Sequence, residues 1–551
     1  MKRTLLSLLA VILALTASAQ GFKGRILKLD FRKPVTERGG SSVDVGLSGV
    51  SRSGSTSLLE LERALEKAAE DPDIALVFMT PDKLSAGAAT TEEIRAALAR
   101  FRASGKPILS YSTGFSTNTY YLASVADKVV LNPAGYGMIA GMSSTQYFLK
   151  DALDSLGIRI QLIRHGKYKS AGERFIRNDI SPENREQYET MLRSIWTNRM
   201  EEVAASRGTT VAALDSLVDN LALDAPESWL KNGLVDELAH RDEVEHYFAV
   251  LFGKAPDKLD FVTLEDYAGK LRKGSGGKIA VVFADGEISR DGSDGIVGNR
   301  MAQTLASVRR DEDVKAVVFR VNSPGGEVVA SDLIRREVEL LRKEGKPVIA
   351  SYGDYAASGG YWISSPADRI FSGRSTLTGS IGVFGLVPVI GDAVKKHLKV
   401  NLVSINTHAH SDAMSGIRAM DETETAQYQA HIEAIYDRFV SLVAESRGKT
   451  REAVDEIAQG RVWAGRDAIG IGLVDEFGTL LDAVHYAAEK AGLKSYRIAC
   501  YPARKKGLKA LLSDDGTEPL VRVPEVPASL RNYVTPGEHT LARLPYVITI
   551  Q

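Results

Sequence analysis

Cysteine occurs once in 551 residues, at Cys500. No disulfide can form within the chain, and no cluster of thiolates is available for zinc. A lone cysteine of this kind is expected as a small buried hydrophobe. Histidine is also scarce, nine in all, and no His/Glu metal-binding motif occurs. The sequence therefore calls for no metal and no cofactor. Neither charge is in surplus: 69 Lys and Arg stand against 70 Asp and Glu, a formal net charge of −1. That balance removes the electrostatic case for nucleic acid as a partner. Long hydrophobic runs are missing too, since none reaches the roughly 20 residues of a comfortable transmembrane helix.

What is present is ordinary globular composition, 44% hydrophobic and 25% charged, in a chain long enough for two to four domains. The first residues carry an export signal. Lys2 and Arg3 precede the apolar run Leu5 to Leu15, and Ala17-Ser18-Ala19-Gln20 forms a small-x-small exit. Residues 1–19 read as a signal peptide or an N-terminal membrane anchor.

Beyond the leader, strand patterns alternate with helix patterns. Arg25 to Phe31 is a strand, and Gly39 to Ser55 a Gly/Ser-rich surface stretch. Leu58, Leu61 and Leu65 lie on one face of a helix from Ser57 to Glu70. Ile74 to Phe78 is a buried strand, Thr90 to Ala103 a helix, and Lys106 to Tyr111 a strand again. The same order then recurs. Asp71-Pro72-Asp73-Ile74 matches Asp311-Glu312-Asp313-Val314, 240 positions later. Gly105-Lys106-Pro107-Ile108 matches Gly345-Lys346-Pro347-Val348, and Ser206-Arg207-Gly208 matches Ser446-Arg447-Gly448, at the same offset. Ala126-Asp127 matches Ala367-Asp368, and Leu234-Val235-Asp236-Glu237 matches Leu473-Val474-Asp475-Glu476, within one position of it. Ordered matches at a constant offset mean a tandem duplication. Each copy is expected to be an α/β domain with a largely parallel sheet. The copies span 22–264 and 278–504, joined by a linker at 265–277 and followed by an extension at 505–551.

A duplication supplies its own comparison. In the C-terminal copy the strand Pro347 to Tyr352 runs into Gly353-Asp354-Tyr355-Ala356-Ala357-Ser358-Gly359-Gly360, and a helix pattern follows from Tyr361. Such a turn lifts a serine hydroxyl to a strand-to-helix junction and aims backbone N–H groups at a helix start. The other copy has Thr117-Asn118-Thr119 in place of Ser358-Gly359-Gly360. Asn322-Ser323-Pro324-Gly325-Gly326 likewise has no Gly-Gly counterpart near Thr80-Pro81-Asp82-Lys83. A Pro-Gly-Gly turn exposes backbone N–H groups to a carbonyl oxygen. The third contrast is reversed: Lys169 in the N-terminal copy aligns with His410. Serine needs a base to take its proton, and a lysine buried among apolar groups can be one. Ser-Lys is a recognised variant of the nucleophile-base pair.

These motifs, with Lys167-Tyr168-Lys169-Ser170-Ala171-Gly172 and Thr376-Leu377-Thr378-Gly379-Ser380-Ile381-Gly382, resemble the signal peptide peptidase A family (protease IV) in its long duplicated form. The likeness covers roughly residues 25 to 500. It implies an α/β fold built as a tandem duplication of a Clp protease/crotonase-like domain. It implies Ser358 as nucleophile, Lys169 as general base and Ser380 orienting the lysine. Gly325, Gly326 and Gly359 would supply the oxyanion hole. The family's lysine motif usually continues with an acidic residue and proline, whereas here it runs Gly172-Glu173-Arg174-Phe175. The implied activity is endopeptidase cleavage of released signal peptides and other unfolded apolar segments after export. The implied setting is a homotetramer with enclosed sites, associated with the inner membrane on its periplasmic side.

Two rival classes make different demands. A crotonase-type acyl-CoA enzyme needs a basic phosphate-binding cluster and usually a catalytic carboxylate, and coenzyme A is cytoplasmic. A non-catalytic membrane-associated scaffold of the same fold has no use for the serine and Pro-Gly-Gly turns that the C-terminal copy keeps.

Overall fold

The computed structural model describes residues 22–46, 49–271, 274–292, 294–503 and 540–543. The leader 1–19 and most of the extension 505–551 lie outside the described residues.

Two largely parallel sheets share a six-strand path, and the C-terminal one adds Leu377–Gly379 beside Val348–Ala357 and, antiparallel to it, Val462–Ala464. In the N-terminal half the path runs Phe261–Thr263, Arg25–Leu29, Ile74–Met79, Ile108–Phe115, Lys128–Gly137, Glu237–Leu238. In the C-terminal half it runs Tyr496–Tyr501, Gly277–Asp285, Val314–Ser323, Val348–Ala357, Arg369–Ser372, Glu476–Phe477. Ile74–Met79 is buried at every position, the signature of a parallel strand covered on both faces. The likeness extends to details. Pro182–Arg207 and Glu422–Arg447 are both 26-residue helices, closed by left-handed Gly208 (φ 64°) and Gly448 (φ 61°). Arg207 pairs with Asp236 and Arg447 with Asp475. The Tyr120 and Tyr361 hydroxyls donate to the carbonyls of Leu234 and Leu473.

The halves are locked together by buried and half-buried carboxylates that cap backbone across the boundary. Asp354 accepts from the Ala89 and Thr90 N–H groups at 2.8 and 3.1 Å, at the start of the helix Ala88–Ala103. Glu92 accepts from Arg374 and Ser375 N–H, Glu93 from Leu480 N–H, and Glu62 from Leu481 N–H. At the centre, buried Arg320 sits between Glu37 at 2.7 Å and Glu93 at 2.6 Å. Desolvated charge survives there because each group has an opposite partner and further hydrogen bonds.

A third sheet crosses the same boundary. Arg159–Arg164, from the N-terminal half, pairs antiparallel along its whole length with Phe384–Val389. This arm carries the Lys169 loop onto the C-terminal copy.

Several elements differ from the sequence reading. The stretch 265–277 opens with the helix Leu264–Lys270, whose buried Tyr267 donates to Asp71 at 2.9 Å. An apolar anchor one turn inside a helix holds it on the domain, so the connection is shorter than the Gly/Ser composition suggested. The Gly/Ser-rich stretch after Gly39 is a hairpin, Gly40–Gly46 against Gly49–Ser57. Cys500 is exposed rather than buried: it lies on Tyr496–Tyr501, the edge strand of its sheet.

Candidate active site

The strand Val348–Ala357 ends at Ser358, and the helix Gly359–Ser364 begins immediately. The helix thus starts two residues before the Tyr361 that apolar periodicity indicated, because glycines carry no such signal. Ser358 has φ 55° and ψ −116°. A left-handed φ is costly for a residue with a Cβ and persists only where the surroundings over-determine it. Two bonds do so here. The Ser358 N–H donates to the Gly379 carbonyl at 2.8 Å, and its own carbonyl accepts from Trp362 N–H at 2.8 Å. Thr378 and Thr376 fasten the neighbouring strand through hydroxyl bonds to the carbonyls of Ala356 and Gly353. Gly360 permits the close approach beneath the turn, since a Cβ there would lie 2.6 Å from the Ser323 carbonyl oxygen.

Lys169 arrives from the other half. Its Nζ lies 2.7 Å from Ser358 Oγ, 3.0 Å from Ser380 Oγ and 3.0 Å from the Ser380 carbonyl oxygen. Lys169, Ser358 and Ser380 are all fully buried. Burial holds the lysine well below the ordinary ammonium range. The partner set fits a neutral amine. Two N–H bonds go to Ser380, and the lone pair is left for the Ser358 hydroxyl proton. Ser380 is itself left-handed, at φ 51°, with its N–H on the Arg461 carbonyl at 2.7 Å.

The lysine backbone is fixed as firmly as its side chain. Arg164 donates to the Lys169 carbonyl at 2.9 Å and pairs with Glu173 at 3.1 Å. Glu173 is buried and also accepts from the Ser181 hydroxyl at 2.8 Å. Here the acidic residue of Gly172-Glu173-Arg174-Phe175 braces the turn. Gly460, at φ 80°, packs directly on Lys169: a Cβ there would lie 2.6 Å from both the lysine Cβ and its amide nitrogen. Gly382 leaves similar room, since a Cβ there would lie 3.2 Å from Lys169 Cδ. Sequence reasoning missed Gly460, Arg164 and Gly382. Gly382 stood inside a motif already quoted, whereas Gly460 carried only the general signal of a glycine between helix and strand.

The remaining candidates line the approach. Gly325 and Gly326, at φ 104° and 157°, form the short strand Gly325–Glu327, within 8 Å of the helix Gly359–Ser364. Gly326 must be glycine, because a Cβ would lie 1.9 Å from the Ile288 carbonyl oxygen. The Gly325 N–H is held by Ser323 Oγ at 3.2 Å. The structure therefore gathers Ser358, Lys169, Ser380 and the three glycines in one place. It leaves Thr117–Thr119 at the start of the helix Thr117–Ala123 in the other copy, under a Ser116 capping box, and His410 on the surface beside Glu424 at 2.9 Å.

Comparison with known proteins finds one match in each copy. The model of peptidase family S49 matches residues 100–252 and 340–494. The chain is 38% identical over 458 residues to Protease 4 of Salmonella typhi, covering 81% of this chain and 74% of that protein. It is 32% identical over 542 residues to the chloroplastic serine protease SPPA of Arabidopsis thaliana, covering 96% of this chain and 76% of that protein. Among solved structures, ClpP1 from Listeria monocytogenes overlaps 36% of this chain and 91% of its own, at 18% identity and a TM-score of 0.23, too low to assign the fold.

Proposed function

Because the chain belongs to peptidase family S49 and is a serine endopeptidase with duplicated family domains, we propose that Ser358 is its nucleophile and Lys169 its general base, the pair being completed within one chain. The observation that carries this reading is the 2.7 Å contact between two fully buried groups, with no carboxylate among the described residues on the lysine nitrogen. As Ser358 Oγ attacks the peptide carbonyl carbon, its proton passes to the neutral Lys169 amine. Negative charge collects on the carbonyl oxygen, which Gly359 N–H and the N–H groups of Gly325 or Gly326 stabilise, about 3 kcal/mol for one good donor. The resulting ammonium returns its proton to the leaving amine, and an acyl-enzyme remains. Water then attacks the ester, giving its proton to Lys169, and Ser358 is released reprotonated. Ser380 holds the amine throughout with its hydroxyl and carbonyl oxygens.

The substrates are released signal peptides and other unfolded apolar segments, reached after export; the leader Leu5–Leu15 supports that compartment. The enzyme works as a homotetramer at the inner membrane's periplasmic face. An exposed apolar stretch supports burial against another surface: Val403 and Ile405 are 84% and 97% exposed. Among the described residues no helix is long and apolar enough to cross a membrane. Each repeat, 22–264 and 278–504, is a Clp protease/crotonase-type unit; the six-strand path that the two sheets share supports the duplication. The test is hydrolysis of a labelled signal peptide by the purified protein and by Ser358→Ala. The variant should bind the peptide without cutting it. Cleavage by the variant at the wild-type rate overturns the assignment.

A further inference from the structure

Arg461 bonds to the turn that orients the lysine and to the loop that carries it. It follows Gly460, the glycine packed on Lys169, and precedes the strand Val462–Ala464. Its carbonyl accepts the Ser380 N–H at 2.7 Å. Its guanidinium carbon lies 4.8 Å from the centre of the Tyr168 ring and 4.5 Å from that of Trp463. Nη1 donates to the Tyr168 hydroxyl at 3.2 Å and pairs with Glu186 at 3.0 Å. The Tyr168 hydroxyl donates in turn to Glu186 at 3.1 Å. Trp463 is fixed by its indole N–H, which donates to the Ile457 carbonyl at 2.9 Å. It also closes on Gly379, where a Cβ would lie 2.9 Å from the indole Cδ1.

Tyr168 is one peptide bond from Lys169, so whatever holds its ring also holds the lysine. A guanidinium suits this place because it is planar and weakly hydrated: it lies against aromatic faces and still donates from its edge. The Glu186 contact adds little, since that carboxylate is half exposed. The duplication separates this contact from the common scaffold. At offsets of 240 and 239 the N-terminal copy has Leu221 or Ala222 in place of Arg461. In the loop of the C-terminal copy, Ala409 stands where Tyr168 does. Arginine and tyrosine therefore occur only at the loop and turn that bring Lys169 to Ser358.

We propose that Arg461 is a positioning residue for hydrolysis: held between Tyr168 and Trp463, it fastens the Lys169 loop of one repeat to the Gly379-Ser380 turn of the other and so sets the approach of the amine to Ser358. The inference rests on the reading of Ser358 and Lys169 as the reacting pair. Arg461 acts through Tyr168 and Ser380 rather than on the substrate. Without its side chain the loop samples other seats. If the competent seat falls to about a tenth of the population, kcat falls about tenfold. KM is spared, because Lys169 serves the substrate only through the proton it takes and returns. A loosened loop also admits water to the amine, which favours the ammonium. Removal of a neighbouring positive charge acts in the same direction. Both effects move the acid limb of the pH–rate profile upward. The other ionisable groups about the loop are Arg164, Lys167, Glu173 and Glu186.

Arg461→Met keeps an unbranched side chain between the rings and removes the charge and the donors. It should lower kcat for a fluorogenic peptide about tenfold and leave KM within twofold, in a protein that circular dichroism shows to be folded. Its acid limb should move up by about half a pH unit or more. Arg461→Lys keeps the charge but not the plane, and should show the same split with a smaller loss, about threefold. Tyr168→Leu should match Arg461→Met, and the double variant should cost no more than the worse single change, since the arginine acts through the tyrosine. Glu186→Gln, at the exposed end, should keep kcat within twofold of wild type. Wild-type kcat in folded Arg461→Met and Arg461→Lys overturns the proposal. So do costs that multiply in the double variant, a loss in Glu186→Gln as large as in Arg461→Met, or a fallen kcat with an unmoved limb. Failure of the underlying reading looks different, because Lys169→Arg would then still hydrolyse the peptide.

Discussion

Gly460→Ala tests how finely the lysine is held. The added Cβ would sit 2.6 Å from Lys169 Cβ and N and 2.7 Å from its Cα, and all three belong to a stretch fixed by hydrogen bonds. Carbon atoms pack at about 3.5–4.0 Å, so something must move by about 1 Å. Moved away from Ser358, the lysine nitrogen goes from 2.7 Å to about 3.7 Å and out of hydrogen-bond reach. A misplacement of that size costs on the order of 100-fold in rate. The left-handed backbone at position 460 adds a stability cost of about 1–2 kcal/mol. Peptide hydrolysis should fall about 100-fold in kcat, while circular dichroism and cooperative melting show a folded protein with a lowered melting temperature. Gly470→Ala is the control, because its added carbon would meet an ordinary 3.5 Å contact. Wild-type kcat in folded Gly460→Ala refutes the argument that Lys169 is positioned by this packing.

Lys169→Arg should lose all measurable hydrolysis, because guanidinium stays charged and cannot take the serine proton; Lys167→Arg, on the exposed side chain two residues away, should be nearly neutral in the same assay. The pH–rate profile should rise through a limb well below the ordinary lysine range, since Lys169 must lose its proton to act and burial favours that loss. The sign for stability is the same: between the depressed folded value and the ordinary value of about 10.4 the unfolded lysine binds a proton and the folded one does not, so this group's contribution rises with pH across that window. Comparing denaturant midpoints of the wild type and Lys169→Met across it should show the difference. Thr117→Ala should leave hydrolysis within twofold of wild type, because Thr117 lies in the copy without the glycine turn. Arg320→Met should cost about 3–5 kcal/mol by urea denaturation, since Glu37 and Glu93 stay buried without their counter-charge.

Much of this architecture was legible because the chain contains two versions of itself. The steady offset of 240 positions exposed the repeat, and the repeat turned Ser358, Gly325-Gly326 and Lys169 into contrasts. Strand and helix cores such as Ile74–Met79 and Leu58–Glu70 followed from apolar spacing, which survives into the fold because burial enforces it. What escaped was set by tertiary contact. Nothing local marks Gly460 as the neighbour of Lys169, 291 positions away (460 minus 169). The Arg320–Glu37–Glu93 lock joins residues that each resemble solvated surface charge. Thr540–Arg543 has no strand period of its own, and its pairing comes from the two edges that receive it, Gly325–Glu327 and Phe384–Gly385. Cys500 misled because composition speaks for burial while an edge strand leaves one side open.

The central claim is that an uncharged amine at position 169 serves Ser358 across the repeat boundary. The exposed Cys500 makes a direct test practical, since Cys500→Ser leaves no other thiol in the chain. In that background Lys169→Cys should be folded and inactive. Aminoethylation of the cysteine in denaturant, followed by refolding, rebuilds a lysine-length side chain ending in an amine. Hydrolysis of the labelled peptide should return with it, and the same treatment of Lys169→Ala should restore nothing. Full activity in Lys169→Cys before treatment would contradict the claim, as would a refolded, aminoethylated enzyme that stays inactive.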